Sequence, residues 1–172
     1  GFLVAQDTYY VGTIKGIGKI YQQTGIDTYS NVGFAKVYTR KTSIEAADFL
    51  NDQVFPFFDE HGISVLRMLT DRGGEYYGRA DAHPYQLFLA LNEVEYSKTK
   101  ARHPQTNGLC EKLNQTIEKE FYATAFRKKL YSSLKEIQED LDEFMEEYNK
   151  NRTNQGKRCQ GRTPYQTFLE GV

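Results

Sequence analysis

Three acidic residues occupy positions from which carboxylates could act together. Asp7 lies within an apolar, β-branched run, Asp71 directly follows the run ISVLRMLT, and Glu111 opens a helix-like segment. Hard cations such as Mg²⁺ bind one or two carboxylates each and fill the remaining positions with water and phosphate oxygens. Two such ions can activate an attacking oxygen and stabilise a leaving one. These residue types therefore suit metal-assisted phosphoryl transfer.

Each acid also has an ordinary structural explanation when it is taken alone. Asp7 could face solvent on an exposed strand, although an acid buried in a strand is costly unless it is paired or bound to metal. Asp71 precedes Gly73 and Gly74 as turn-forming acids do, yet the carboxyl ends of strands in open α/β sheets also collect ligands. Glu111 is the kind of residue that suits any helix N-terminus. The three acids become informative only as a set.

The elements that must position these acids follow from hydrophobic periodicity and capping signals. Strand-like runs predict a hairpin from residues 2–11 and 19–27, followed by strands at 31–39, 63–70 and 95–99. Capping boxes and periodic apolar residues predict helices from Thr42 to Gly62 with a kink or end near Pro56, from Pro84, over 108–126, and from Ser133 to about 149. This order indicates an α/β fold with a mixed five-stranded sheet, three antiparallel strands and then parallel ones, with helices on both faces.

Apolar spacing also predicts which side of two helices is buried. The helix after Pro84 is expected to bury Leu87, Phe88, Leu91 and Val94. The 108–126 helix is expected to bury Leu109, Leu113, Ile117 and Phe121. Glu111 lies about 200° from Leu109 around this helix, which places it on a polar face with Asn114, Gln115 and Glu118.

Composition bounds the class of protein. With 172 residues, 39% hydrophobic and 26% charged, the chain predicts a packed soluble domain, and it contains no apolar run of the length a membrane helix needs. Cys110 and Cys159 lack metal-binding spacing, so we expect free thiols, a cytoplasmic location and no membrane contact. The chain begins Gly-Phe-Leu-Val, and we expect a fragment of a longer protein with a core at 1–149 and a basic tail at 150–172.

Charge is unevenly distributed although the net charge is only −1. Residues 132–147 are strongly acidic, whereas 150–162 carry five basic residues and no acid. A charge cluster is as often solvated surface as a binding site. Basic and neutral hydrogen-bond donors lead into the 108–126 helix and are candidate contacts to a phosphate backbone: Lys98, Lys100, Arg102, His103, Gln105 and Asn107. Arg152, Lys157 and Arg158 are candidates to extend this basic surface.

Three motifs, in order, resemble the signatures of the DDE integrase-type transposases of bacterial insertion sequences, which belong with the retroviral integrase catalytic cores. The motifs are Gln6-Asp7-Thr8, TDRGGEY at 70–76, and HPQTNGLCEKLN at 103–114. The tail, with Tyr148-Asn149 before Arg152 and RTP at 162–164, resembles the closing motif of the family, so the resemblance covers nearly the whole chain.

The resemblance implies a ribonuclease-H-like fold and cleavage of DNA ends followed by strand transfer. It implies Asp7, Asp71 and Glu111 as catalytic residues that hold two Mg²⁺ or Mn²⁺ ions. DNA, as element ends and as target, is the implied partner, and we expect a homodimer or higher oligomer because two element ends must be held. It places the first catalytic acid on strand one, which leaves Asp27 with a structural or turn-forming part near Ser30.

The chain departs from the family pattern at three places. Arg72 replaces the more common Asn, and the interval between Asp71 and Glu111 is longer than usual, with the excess expected in the loop around residues 78–83. Glu118 stands where retroviral integrases have a DNA-contacting Lys. We therefore expect Lys112 or Lys119 to substitute, and we count Asn114 and Arg152 among the DNA-binding residues.

Two other functions fit the same sequence. Another nuclease with a ribonuclease-H-like fold would carry similar acids, although the 103–114 motif and the tail favour the transposase by resemblance. A domesticated module that binds DNA or supports assembly without catalysis is the second alternative. The presence of all three acids counts against it, and metal-dependent cleavage of a DNA duplex would separate the three possibilities.

Overall fold

The computed structural model describes residues 2–78, 83–98, 108–154 and 158–171. Five strands form one sheet in the order β3-β2-β1-β4-β5. Strands β1, β2 and β3 are antiparallel, and β4 and β5 run parallel to β1. The predicted mixed sheet is therefore confirmed, with these bounds: β1 Leu3–Ile14, β2 Gly18–Asp27, β3 Gly33–Tyr38, β4 Arg67–Thr70 and β5 Glu95–Lys98.

The helices cover both faces of the sheet, and two of them contain π-helical turns that sequence periodicity did not predict. Pro56 falls in the first turn of α2, and the wider π-helical turn before it lets the helix continue without the amide that proline lacks. The bounds are α1 Ser43–Phe49, a π-helical turn Leu50–Val54, α2 Phe55–Glu60, α3 Pro84–Leu91, α4 Gly108–Ile117, a π-helical turn Glu118–Tyr122, α5 Ala123–Lys128, α6 Leu134–Lys150 and α7 Pro164–Glu170.

Two apolar layers sandwich the sheet. On one face Leu113 and Ile117 of α4 and Leu141 of α6 pack with apolar residues of β1 and β2. On the other face Phe49 and Phe58 of the first helical segments pack with residues of β1 and β4. Burial of apolar surface at about 25 cal/mol per Å² on each face is the main force that holds the helices against the sheet.

The predicted buried side of α3 is only partly right, because Val94 is buried and Phe88 packs against the same core cluster, but Leu87 and Leu91 are not buried. Leu91 is 84% exposed and Leu87 is 45% exposed, whereas Tyr85 and Leu89 are fully buried. The Tyr85 hydroxyl donates a 2.7 Å hydrogen bond to Gln6 Oε1 beneath the sheet. The rotation of α3 about its axis is therefore set by Tyr85. Its ring buries more apolar area than a leucine, and its hydroxyl finds a hydrogen-bond partner in the core.

Two side-chain amides of α6 form hydrogen bonds with the backbone of the edge strand β3. Asn149 accepts a 2.8 Å hydrogen bond from the Gly33 amide and donates a 2.9 Å bond to its carbonyl. Gln138 likewise accepts from the Val37 amide at 2.8 Å and donates to the Ala35 carbonyl at 3.2 Å. Unpaired backbone N–H and C=O groups at the edge of a sheet can pair with a strand of another chain, and these amides protect part of the β3 edge from such pairing.

The basic tail is more structured than its composition suggests. Helix α7 begins with a capping box formed by Thr163 and Gln166, and its Phe168 is buried in the same apolar cluster as Phe49 and Phe58. This segment therefore packs on the core. Within the described residues, no helix combines the length and the apolar character needed to cross a lipid bilayer.

Candidate active site

Asp7 and Asp71 come abreast on neighbouring parallel strands. Ala5 of β1 is in register with Leu69 of β4, and both acids lie two residues farther along. Strand β4 ends at Thr70, and Asp71 Oδ1 accepts a 2.8 Å hydrogen bond from the Gly73 amide in the turn that follows. Strand β1 therefore lies beside the strand that ends just before Asp71.

The charge of the third acid, Glu111, also acts in the region of Asp7 and Asp71. Burial and, next, the charge on Asp71 raise the pKa of Asp7 to about 6. The fully buried Cys110 thiol has a pKa well above its usual range because of burial and the nearby charges of Asp7, Glu111 and Asp71. The charges of all three acids therefore reach the Cys110 thiol in the first turn of α4.

The acids are neighbours but do not form a closed ligand cluster. Among the described residues, no group of three or more His, Cys, Asp or Glu side chains has converged as metal ligands would. Glu111 is exposed in the first turn of α4. Repelling carboxylate oxygens are donors that hard divalent cations favour, so the residues present fit Mg²⁺ or Mn²⁺. Glu111 must turn its side chain inward to join the two aspartates.

A fourth acid, Glu75, lies beside Asp71. Its pKa is raised by burial, an effect opposed by a hydrogen bond to backbone and reinforced by the charge on Asp71. Glu75 also contributes to the raised pKa of Asp7. Sequence reasoning treated Glu75 only as part of a motif, and its position four residues after Asp71, in a glycine-containing turn, was the available signal.

Asn114 is buried, although the helical periodicity predicted that it lies on the polar face of α4. The side chain is 4% exposed, and its Nδ2 donates a 3.1 Å hydrogen bond to Asp7 Oδ2. Its Oδ1 accepts from Thr24 Oγ1 at 2.6 Å and from Gln22 Nε2 at 3.2 Å. The polar face of α4 is narrower than predicted because Asn114 follows Cys110 by one turn and shares its buried side.

Buried polar networks support Asp7 from both faces of the sheet, and sequence reasoning missed them. On the α4 face, Tyr122 donates to Gln22 Oε1 at 2.5 Å, and Gln22 donates to Thr24 at 2.7 Å. The signal was present as polar residues in otherwise apolar strands. On the opposite face, a second network joins Gln6, Thr8, Gln23, Tyr76 and Tyr85.

The competing acid Asp27 has the structural part expected of it. Asp27 Oδ2 accepts from the Ser30 amide at 3.1 Å and from the Ser30 hydroxyl at 2.6 Å. Asp27 is in register with Val4, whereas Asp7 is in register with Thr24. Because side chains alternate along a strand, Asp27 and Asp7 belong to opposite faces of the sheet.

The predicted DNA-binding residues divide into three groups. Lys98 ends β5 beside Thr70, and its Nζ lies 3.8 Å from the Tyr77 ring centroid. Lys112 and Lys119 are exposed after Glu111, and Arg152 forms an ion pair with Glu120. The remaining predicted contacts, and most of the loop around residues 78–83, lie outside the described residues: Lys100, Arg102, His103, Gln105 and Asn107.

Sequence comparisons identify relatives among integrases. Residues 92–164 match the family model described as an integrase core domain. A putative integrase, ORF3 of Spiroplasma virus SpV1-C74, is 24% identical over the whole chain, which spans about half (48%) of that protein. The retrovirus-related Pol polyprotein from transposon TNT 1-94 of Nicotiana tabacum is 32% identical over 74 residues, or 38% of this chain and 5% of the polyprotein.

Solved structures share the fold across nearly the entire chain. The catalytic core domain of BIV integrase matches with a TM-score of 0.69 at 18% identity, covering 98% of this chain and 94% of that one. The HTLV-2 integrase catalytic core domain in complex with magnesium, in a trimeric form, matches at 0.72 and 16%, covering 96% and 95%. Residues 92–164 therefore resemble an integrase core domain, and the chain shares the ribonuclease-H-like fold of retroviral integrase catalytic cores.

Proposed function

We propose that this chain is the catalytic core of a DDE transposase, which cuts DNA at element ends and joins those ends to a target. The observation that carries the proposal is the meeting of three elements at Asp7. Strand β4 brings Asp71 abreast of it, and α4, which carries Glu111, reaches it through Asn114. Scattered surface acids would not share this point.

Asp7, Asp71 and Glu111 are the proposed ligands of two Mg²⁺ or Mn²⁺ ions. The HTLV-2 core that shares the fold is described in complex with magnesium. When bound, such ions lower the barrier to displacement at phosphorus by neutralising charge on the attacking and leaving oxygens.

The chain's own residues orient these ligands. The Asn114 amide holds one Asp7 oxygen, and the Gly73 amide holds one Asp71 oxygen. The exposed Glu111 completes the set when DNA is in place. In cleavage, a water oxygen forms a bond to phosphorus as the bond to the 3′ oxygen breaks. In strand transfer, the freed 3′-hydroxyl oxygen forms a bond to a target phosphorus as the bond from that phosphorus to the target strand's own 3′ oxygen breaks, which leaves a 3′-hydroxyl on the target.

Oligomerisation belongs to the same proposal. The HTLV-2 core is described in dimeric and trimeric forms, and a simian T-cell lymphotropic virus intasome shares the fold with a TM-score of 0.71. Transposition requires two DNA ends to be held together, so we expect the full-length protein to act as a homodimer or a larger assembly on DNA.

The decisive experiment compares Asp7→Asn with the matched variant Asp27→Asn in the full-length protein. Labelled DNA duplexes carrying the element ends are incubated with Mg²⁺ or Mn²⁺, and cleavage and strand transfer are resolved on a denaturing gel. Asp7→Asn should abolish both reactions because it removes a metal ligand without changing side-chain volume. Asp27→Asn should retain metal-dependent activity.

Two outcomes would overturn the proposal. A folded, active Asp7→Asn beside a folded, inactive Asp27→Asn would show that the triad is wrong. A wild-type protein that binds DNA but never cuts it with either metal would favour an inactive DNA-binding or assembly module. Cleavage without strand transfer would instead favour a nuclease of the same fold.

A further inference from the structure

We propose that a basic cleft beside α4 binds an unpaired segment of the DNA strand that leaves the active site; this inference rests on the proposed function. The cleft has a volume of about 440 Å³ and lies between α4, the turn after β2 and the segment that follows α6. Its rim carries Lys112, Arg152 and Arg158. Its volume falls within the range of about 300–1,000 Å³ that is typical of ligand sites.

The cleft concentrates positive charge in a chain of net charge −1. Three basic residues and no acidic residue line it. Arg152 is paired with Glu120, but neither Lys112 nor Arg158 forms an ion pair within the described part of the chain. Two uncompensated cations around a concave surface attract a polyanion and suit the phosphates of a nucleic acid.

The floor of the cleft favours an unpaired strand over a duplex. The half-buried Leu109 supplies apolar surface between the cations, and the buried Ile26 and Leu113 lie beneath it. Tyr29 is 42% exposed, and the Arg158 guanidinium lies 5.1 Å from its ring centroid. Aromatic rings beside basic side chains bind single strands, because bases stack on the rings while phosphates meet the charges. A duplex keeps its bases stacked inside and would leave this floor unused.

The segment that carries Arg158 is held in place before any ligand binds. Cys159 Sγ donates to the Ser30 carbonyl at 3.2 Å, and Arg162 Nε donates to the Cys159 carbonyl at 2.9 Å. The Arg162 amide also donates to the Cys159 carbonyl at 2.9 Å. These bonds hold residues 158–162 against the turn after β2, so little ordering of Arg158 is required for binding.

The first turn of α4 separates the cleft from the proposed active site, because Leu109, which lines the cleft, lies about 200° around the helix from Glu111. Lys112 directly follows Glu111, and Leu109 and Leu113 flank that pair on α4. A strand whose phosphate lies at the acids can therefore continue over the start of α4 into the cleft. The cleft would then hold the unpaired nucleotides beside the cut rather than the scissile phosphate itself.

Binding without metal tests this assignment. Fluorescence anisotropy is measured with a labelled single-stranded dT12 and with a blunt duplex, in EDTA and over a series of salt concentrations. Lys112→Ala and Arg158→Ala should each weaken dT12 binding about fivefold and lower the salt slope by about 0.7, the value for one single-strand phosphate contact. The matched variant Lys128→Ala, at the exposed end of α5, should change affinity less than about twofold.

Each alternative outcome is decisive. If Lys112→Ala, Arg158→Ala and Lys128→Ala weaken dT12 binding equally, the cleft is not the binding site. If the duplex binds as tightly as dT12 and is weakened equally by Lys112→Ala and Arg158→Ala, the cleft does not select an unpaired strand. Displacement of dT12 by dAMP at a concentration near the dissociation constant of dT12 would indicate a small phosphate ligand instead.

Folding of each variant is verified by its melting curve, and Arg158→Gln replaces Arg158→Ala if loss of the contact with Tyr29 unfolds the chain. Because EDTA prevents cleavage, these results do not depend on whether the chain is catalytic. If the chain binds dT12 in the cleft but never cuts DNA, the proposed function is wrong, whereas the assignment of the cleft as a single-strand binding site stands.

Discussion

The Asn114 side chain bridges two strands, since its Nδ2 donates to Asp7 Oδ2 at 3.1 Å while its Oδ1 accepts from Thr24 Oγ1 at 2.6 Å. Outer partners of this kind orient a metal ligand, and their loss commonly costs about 10–100-fold in metal affinity or activity. We expect Asn114→Ala to lower Mn²⁺ affinity and cleavage by that order while the protein remains folded. Isothermal titration and a cleavage assay measure the two effects.

The control for Asn114→Ala is Gln115→Ala on the exposed side of the same helix. It should leave both quantities nearly unchanged. Asn114→Ala also leaves the Thr24 hydroxyl without its acceptor, which costs about 1–3 kcal/mol of folding free energy. If activity falls only in proportion to the unfolded fraction, the positioning of Asp7 by Asn114 is contradicted.

The raised pKa of Asp7, about 6, predicts that this residue opposes folding at neutral pH. The folded chain keeps the Asp7 proton between about pH 4 and 6, where the unfolded chain has released it, so stability from this group falls as pH rises through that window. Asp7→Asn should therefore stabilise the metal-free protein by about 2 kcal/mol at pH 7.5 and by little at pH 4.5.

Urea unfolding of the wild type and Asp7→Asn in EDTA, at both pH values, checks this prediction. Comparing the two proteins at each pH removes the contributions of other acids, such as Asp48 and Asp140, whose lowered pKa values act in the opposite direction. An equal difference between the proteins at pH 4.5 and 7.5 would show that Asp7 does not carry the effect.

Asn149 is expected to stabilise the fold rather than to bind DNA. Both polar atoms of its amide pair with the backbone of Gly33 at the edge of the sheet. Asn149→Ala leaves that backbone N–H and C=O without partners and should cost about 2 kcal/mol in the free energy of unfolding. Asn151→Ala, which loses only an exposed 2.7 Å bond to Glu147, should cost less than about 0.5 kcal/mol.

The order of the elements could be predicted because it depends on local patterns. Apolar runs mark strands, and the change from consecutive strands to alternating strands and helices restricts the sheet to a few topologies. The same patterns placed Asp7 within one strand and Asp71 at the end of another. The family resemblance placed those two strands side by side and gave Asp27 a turn-forming part near Ser30.

The inward position of Asn114 and the buried side of α3 could not be predicted because they depend on partners distant in sequence. An Asn on a helix is polar in any periodicity count, and only the polar atoms of Gln22 and Thr24 make its burial favourable. Tyr85 faces inward because Gln6 accepts its hydroxyl proton from the sheet below.

The final prediction concerns the order in which the three acids engage metal. Asp7 and Asp71 are abreast on the sheet, whereas Glu111 is exposed on α4. Without DNA, we expect Mn²⁺ to bind weakly to the two aspartates alone, because repulsion among carboxylates keeps the site loosely assembled until cations and substrate offset it. Paramagnetic broadening should first remove the amide signals of Thr8 and Gly73.

Two variants sharpen the metal experiment. Asp71→Asn should abolish the localised broadening, whereas Glu111→Gln should leave it largely intact without DNA and weaken Mn²⁺ binding once DNA is added. Broadening centred on the acids of α6 would instead indicate non-specific attraction to that helix, since it carries seven of the chain's acidic residues. A strong effect of Glu111→Gln in the absence of DNA would show that the triad is assembled before substrate binds, because the exposed glutamate would then already be a ligand.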